Sequence, residues 1–223
     1  MHNHGMNSDA PLIEHLDAHL IVAIKPSGLL SVPGRGPAKL DCLIARVQQL
    51  YPDALIVHRL DMATSGLLLL ARGASMQRRL SMAFAARQVQ KRYVAVVRGR
   101  LTPPAEPWGE ISLPLLADWP NRPRQKVCFE QGKPSLTRYR VLAHDELTGC
   151  SRVELEPVTG RTHQLRVHLM SIGHAIVGDA LYESGADNPA HGPNPRLLLH
   201  ASELMMSHPA SGQALHFKSA TPF

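Results

Sequence analysis

The 223-residue sequence predicts an α+β fold, a mixed and largely antiparallel sheet with flanking helices, and three observations carry that expectation. Segments that read as strands outnumber segments with helical spacing. Many of those strands are joined by turns, which disfavours a doubly wound parallel sheet. Hydrophobic residues make up 44% of the chain and aromatic residues only 4%, so aliphatic side chains must fill the core.

Taken in order, residues 1–10 are polar and read as a loose tail, and residues 11–223 as one domain. His2 and His4 in that tail are weak evidence for a metal. The tail lacks an apolar stretch, so no secretory signal is expected. Residues 19–24 (HLIVAI) read as a strand ended by the turn Lys25-Pro26-Ser27-Gly28, and a Pro/Gly-rich loop follows over 31–37. Leu40, Leu43, Ile44, Val47 and Leu50 recur at helical spacing. Residues 66–71 (GLLLLA) form a wholly apolar run that fits a central strand. Met76, Leu80, Ala83 and Phe84 mark one face of a second helix, with Arg78 opposite.

Residues 93–97 alternate so that Tyr93, Ala95 and Val97 share a face. Residues 136–141 alternate again, with Thr137, Tyr139 and Val141 on one side, and 153–158 make a further strand. Thr162 is placed to cap a helix carrying Leu165, Leu169 and Ile172, which Gly173 stops. Leu197–Leu199 reads as a short strand, and residues 203–207 and 214–218 as a closing hairpin. The Pro-rich stretch 102–126 reads as a surface excursion.

The formal charge is +6. No Asp or Glu occurs from Met62 to Ala105, a stretch holding seven arginines and Lys91, and Arg122, Arg124 and Lys126 form a second basic cluster. Such a distribution is either a solvated basic face or an attraction for a polyanion, through counterion release. Cys42, Cys128 and Cys150 are odd in number and far apart, which fits a reducing compartment. No apolar run reaches membrane-spanning length, so a cytoplasmic protein without a membrane partner is expected.

The chemistry concentrates in His58-Arg59-Leu60-Asp61-Met62-Ala63-Thr64-Ser65-Gly66, just before the apolar strand. Charges at the mouth of a buried strand are costly unless paired or functional. On the residues alone, Asp61 is either a carboxylate held by local turn bonds or a functional group. Tyr93 is either a core-edge tyrosine or a base-stacking one, and Arg166 either a structural ion pair or a partner for a carboxylate. Thr64 and Ser65 are expected to orient the Asp61 loop, and Gly66 and Gly160 to permit tight turns.

HRLDMATSG resembles the signature HRLDxxTSG of the RluA family of pseudouridine synthases, with every fixed position present. GRTHQLRVH at 160–168 and GHAIVGDALY at 173–182 resemble the family's second signature and its continuation. KRYVAVVRG at 91–99 resembles the segment bearing its active-site tyrosine, and RLLLHA at 196–201 its late core strand. KPSGLLSVPGR at 25–35 and DWPNRPRQKV at 118–127 match the family's dual-specificity branch more narrowly. Several separated motifs in the right order, across residues 12–223, are far more specific than one alone.

That resemblance implies an RNA isomerase that rearranges uridine to pseudouridine in a central RNA-binding cleft, without cofactor or metal. It implies a nucleophilic role for Asp61, a stacking role for Tyr93, a pairing role for Arg166 and a gap-filling role for Arg59 after the nucleotide is flipped out. A plain phosphate contact is the alternative for Arg59. His58, Arg161, Arg92, Arg122, Arg124 and Lys126 join Arg59 as expected RNA contacts. His58, His163 and His168 are read as structural or RNA-contacting rather than as general acids, and their spacing does not fit a zinc site. The narrower match implies a 23S rRNA hairpin loop and a tRNA anticodon stem-loop as substrates. With about ten residues before the first strand, no N-terminal S4 domain is expected, and the family suggests a monomer without an obligate protein partner. Two other readings stand beside the enzyme. One is a catalytically silent RNA-binding protein of the same fold. The other is an unrelated Asp-nucleophile hydrolase, which would need metal-binding carboxylates near Asp61 that residues 62–105 do not supply.

Overall fold

The computed structural model describes residues 10–183 and 196–223. The expected tail, with His2 and His4, lies outside the described residues except for Ala10.

Twelve strands and three helices follow one another in the described chain. The first half runs β1 (Leu12–Leu16), β2 (Leu20–Lys25), α1 (Leu43–Leu50), β3 (Ala54–Ile56), β4 (Ser65–Arg72), α2 (Ala74–Ala85) and β5 (Gln90–Arg98). The second half runs β6 (Gly109–Ser112), β7 (Leu115–Ala117), β8 (Gln125–Val127), β9 (Leu136–Asp145), β10 (Cys150–Pro157), α3 (Gln164–Ser171), β11 (Leu199–Ser207) and β12 (Ala214–Lys218). Ten strands make one sheet in the order β1-β2-β4-β11-β5-β10-β9-β6, with β12 on β11 and β3 on β4. Every pairing is antiparallel except β4 with β11. β7 and β8 form a separate two-stranded ribbon. The expected α+β class with a mostly antiparallel sheet is what the molecule has.

The sheet is covered on both faces. On one, Ile21, Ala23, Leu68, Leu70, Tyr93, Ala95, Val153 and Leu155 pack with Leu43, Ile44 and Val47 of α1 and Leu165 and Leu169 of α3. On the other, Leu20, Val22, Leu67, Leu69 and Leu204 pack with Met76 and Leu80 of α2. Because β2 and β4 are buried on both sides, their sequences are continuous apolar runs without alternation. A fully buried leucine there contributes about 1.5–3 kcal/mol.

Several expectations are corrected. Leu40 and Leu50 are exposed (58% and 57%), and α1 begins only at Leu43, so the buried face of that helix is Leu43, Ile44 and Val47. Residues 197–207 do not break into two strands; β11 is continuous across a bulge between Ala201 and Glu203. The stretch 102–126 lies mostly at the surface, as expected, but it is not irregular throughout, since it carries β6, β7 and most of β8. Thr162 does not cap α3. His163 occupies the cap position in the left-handed region at φ 53°, and Gln164 organises the turn instead. Its Oε1 accepts from Arg161 N and Thr159 Oγ1, and its Nε2 donates to Leu136 O. Gly66 is not a turn residue. It sits inside β4 at φ 113°, where a Cβ would meet the Ala201 backbone at 2.3–2.8 Å. Gly160, unlike Gly66, shows no positive φ.

Candidate active site

The segment 58–64 is a loop pinned almost residue by residue to the loop after β2. Ser31 Oγ donates to Leu60 O at 2.8 Å and accepts from Leu60 N at 3.1 Å. Gly28 N and Lys25 Nζ both donate to Met62 O at 2.9 Å, and Ser27 Oγ donates to Ala63 O at 2.7 Å. Lys25 is fully buried and also donates to Pro26 O and Leu29 O. Burial lowers its pKa to about 7, against the opposing pull of the Asp61 charge. Thr64 N donates to Asp61 O, closing the turn. Ser65 does not orient Asp61: its hydroxyl meets His200 Nδ1 at 2.9 Å and accepts from Arg196. Asp61 is thus fixed by backbone geometry set from another part of the sequence.

Its side chain, 23% exposed, faces Arg166 on α3. Arg166 Nη1 donates to Asp61 Oδ2 at 3.2 Å, while Nε and Nη2 each donate to Asp179 at 2.7 Å in a bidentate grip. Burial disfavours the guanidinium charge, but Asp179 and Asp61 outweigh it and hold Arg166 above its ordinary pKa. Asp179 also accepts from Leu181 N and Tyr182 N, so its own orientation is locked. The Tyr182 ring lies 5.1 Å from the Arg166 guanidinium, and its hydroxyl is 2.7 Å from His163 Nδ1. His163 Nε2 lies 3.8 Å from Asp61 Oδ2. Burial lowers the pKa of His163, opposed by Asp61.

These groups open into a cleft of about 720 Å³, within the range of small-ligand sites. Asp61, Tyr93, Arg166, His58, Arg59 and Arg161 all line it. Burial and the Asp61 charge push the Tyr93 phenol well above its ordinary pKa, so it stays protonated near neutrality. Arg59 and Arg161 are exposed at its mouth. His58 lines the cleft but is committed to the fold. It accepts from Leu69 N at 3.0 Å and stacks on Phe84, and burial lowers its pKa to about 3. His168 is likewise committed, at 3.0 Å from Leu113 O.

The other expected RNA contacts are placed elsewhere. Arg92 points to the opposite face of β5 from Tyr93, within 3.8–3.9 Å of Glu154 and Glu156 and beside the Trp108 ring. Arg122, Arg124 and Lys126 lie on the β7–β8 ribbon outside the cleft. Arg122 stacks 4.0 Å from the Trp119 ring centroid, and Lys126 is 3.6 Å from Asp118. The acid-free run 62–105 is also not one basic face. Arg72 pairs with Asp53 and Arg100 with Glu146, leaving Arg87 and Lys91 as its contribution to the cleft wall. Lys91, Asp179 and Tyr182 were not singled out by the sequence reading. Lys91 was legible, because the alternation that groups Tyr93 with Ala95 puts Lys91 on the same face.

Among the described residues, no three His, Cys, Asp or Glu side chains converge as metal ligands, and no helix is long and apolar enough to cross a membrane. Chemically, the cleft offers the Asp61 carboxylate beside a buried guanidinium, a protonated phenol, a rim of arginines and, on its wall, Glu156.

A family model described as RNA pseudouridylate synthase matches residues 19–171. The dual-specificity RNA pseudouridine synthase RluA of Yersinia pestis is 47% identical over 95% of this chain and all of its own. Its counterpart from Escherichia coli K12 is 48% identical over 95% of this chain and 94% of its own. Among solved structures, human RNA pseudouridylate synthase domain containing 1 superposes with a TM-score of 0.78 at 28% identity, covering 99% of this chain and 87% of its own.

Proposed function

The chain belongs to the RNA pseudouridylate synthase family, and from that premise we propose that it isomerises uridine through Asp61, with Arg166 and Tyr93 as the two other working side chains. The enzyme is an RNA isomerase. The rearrangement cleaves N1–C1′, turns the uracil and rejoins it through C5, with no net redox change or hydrolysis. Its need is a carboxylate that stays ionised at a partly desolvated site. The observation that carries the assignment is Arg166 held between Asp61 and Asp179. Arg166 Nη1 places its charge against Asp61 Oδ2, and Asp179 keeps that guanidinium aimed.

In this reading Tyr93 stacks on the flipped uracil, a contact worth roughly 1–3 kcal/mol. Arg59 enters the space the base leaves or holds a phosphate, and Arg161 holds phosphate at the mouth, supported by their exposure on the cleft. Arg122, Arg124 and Lys126 contact RNA beyond the cleft, from the ribbon. The substrates we propose are an rRNA hairpin loop and a tRNA anticodon stem-loop, on the strength of 47–48% identity to proteins named dual-specificity synthases. The protein works as a monomer, a single domain over residues 11–223.

The test is release of tritium from RNA labelled at C5 of uridine, with wild type and Asp61→Asn, on both RNAs and without added metal or nucleotide. Release by wild type alone is expected. Release by Asp61→Asn removes Asp61 from its role, and release from only one RNA removes the dual specificity.

A further inference from the structure

We infer that His163 is a positioning residue for Asp61, held in one tautomer by Tyr182, and that Oδ1 is therefore the carboxylate oxygen that meets the nucleotide. This inference rests on the reading of Asp61 as the reactive carboxylate. The two oxygens of Asp61 are not equivalent. Arg166 Nη1 at 3.2 Å and His163 Nε2 at 3.8 Å both address Oδ2. Oδ1 receives no hydrogen bond from any described residue, so the protein restrains one oxygen and leaves the other to the cleft.

The tautomer follows from donor and acceptor accounting. Tyr182 Oη accepts the backbone N–H of Gln125 at 2.7 Å. Its own hydrogen has one acceptor within reach among the described residues, His163 Nδ1 at 2.7 Å. With that hydrogen donated to it, Nδ1 carries a lone pair, and a neutral imidazole with a bare Nδ1 bears its proton on Nε2. That N–H faces Asp61 Oδ2. Burial, which disfavours the imidazolium, acts in the same direction. At 3.8 Å the contact is too long for a hydrogen bond, but such bonds lengthen in empty sites and tighten in the substrate complex.

Two further features mark the arrangement as built. His163 adopts the left-handed region at φ 53°, a conformation costly for a non-glycine residue and sustained only where the surroundings impose it. Tyr182 serves both groups on Oδ2 at once, its hydroxyl bonding His163 and its ring facing Arg166. Through Gln125 N it also joins the β7–β8 ribbon to this pair.

The experiment is steady-state tritium release by wild type, Tyr182→Phe, His163→Leu and His163→Gln on one RNA, with Asp61→Asn as baseline. Tyr182→Phe frees the tautomer, and kcat should fall about tenfold, the scale of one oriented hydrogen bond to a charge, with KM within about twofold. His163→Leu should lose at least as much. His163→Gln keeps an N–H at the ε position and should recover most of the loss. Leu and Gln carry a similar backbone penalty at φ 53°, so a purely structural role would damage both alike. Equal kcat for the Leu and Gln variants overturns the inference, as does His163→Leu at the wild-type kcat. If Tyr182→Phe does not fold, the Leu and Gln pair decides alone. An active Asp61→Asn or an inactive wild type instead brings down the underlying reading.

Discussion

Arg166 is asked to satisfy two carboxylates that point at it from different directions, and only a planar fork can do so. Two of its nitrogens are spent on Asp179 and a third on Asp61, with the side chain 5% exposed. Arg166→Lys keeps the charge but supplies a single compact ammonium that cannot span both partners. We expect kcat to fall at least about tenfold with RNA affinity nearly unchanged; a lysine variant with full kcat would show that charge alone suffices. Asp179→Asn tests the same cluster through stability. An amide places a donor against a guanidinium donor and removes a buried countercharge, so urea unfolding should report a loss of about 3 kcal/mol or more. A loss below about 1 kcal/mol would mean that the pair behaves as an exposed one. The sequence displayed Asp61 and Arg166 within motifs, but nothing in it tells that a residue thirteen positions after Arg166 folds back onto the guanidinium. That juxtaposition exists only because the chain reverses after α3.

At the scale of elements, the Asp61 loop is held from both ends, by the 25–31 segment on one side and by the parallel pairing of β4 with β11 on the other. Gly66 pairs with Ala201 across the two strands, and Gly66→Ala drives a methyl group into the Ala201 backbone at a φ alien to L-residues. The strands must separate or the loop must shift. We expect a loss of roughly 3 kcal/mol or more in urea unfolding, with kcat reduced even at temperatures where the variant is folded. A variant of unchanged stability would contradict the close approach. The long strands were legible because six or more residues establish a period or a continuous apolar run. β3, β7 and β8 are three residues each and cannot show one, while β1 is an edge strand with Leu12 62% exposed. The start of α3 was misplaced because Thr162 satisfies the usual cap preference, whereas tertiary bonding of Gln164 to β9 and the strained His163 set the actual turn. The charge of Arg92 is legible in the sequence, but its place beside Glu154 and Glu156, outside the cleft, depends on its position on β5.

For the whole molecule, buried neutral histidines link folding to pH. Burial lowers His58 to about 3 and, together with Arg196, His200 to about 4; His168 is lowered too, by burial. In the unfolded chain each titrates near 6.5. Below that value the unfolded state binds protons that the native state refuses, so stability falls with pH, at about 1.4 kcal/mol per pH unit for each proton of difference. The contribution is complete above pH 6.5 and is lost progressively down to about 4 for His200 and about 3 for His58. Unfolded carboxylates titrate near 4, so the interval between pH 6.5 and 5 isolates the histidines. Urea midpoints should therefore drop between pH 7 and 5, and His200→Gln should show a shallower drop than wild type whatever its absolute stability. The comparison is of slopes, so the cost of replacing a side chain bonded to Ser65 and Ser219 does not enter. A midpoint flat from pH 7 to 5, or a His200→Gln slope as steep as wild type, would mean that these imidazoles accept protons within the fold and that their burial does not enforce neutrality.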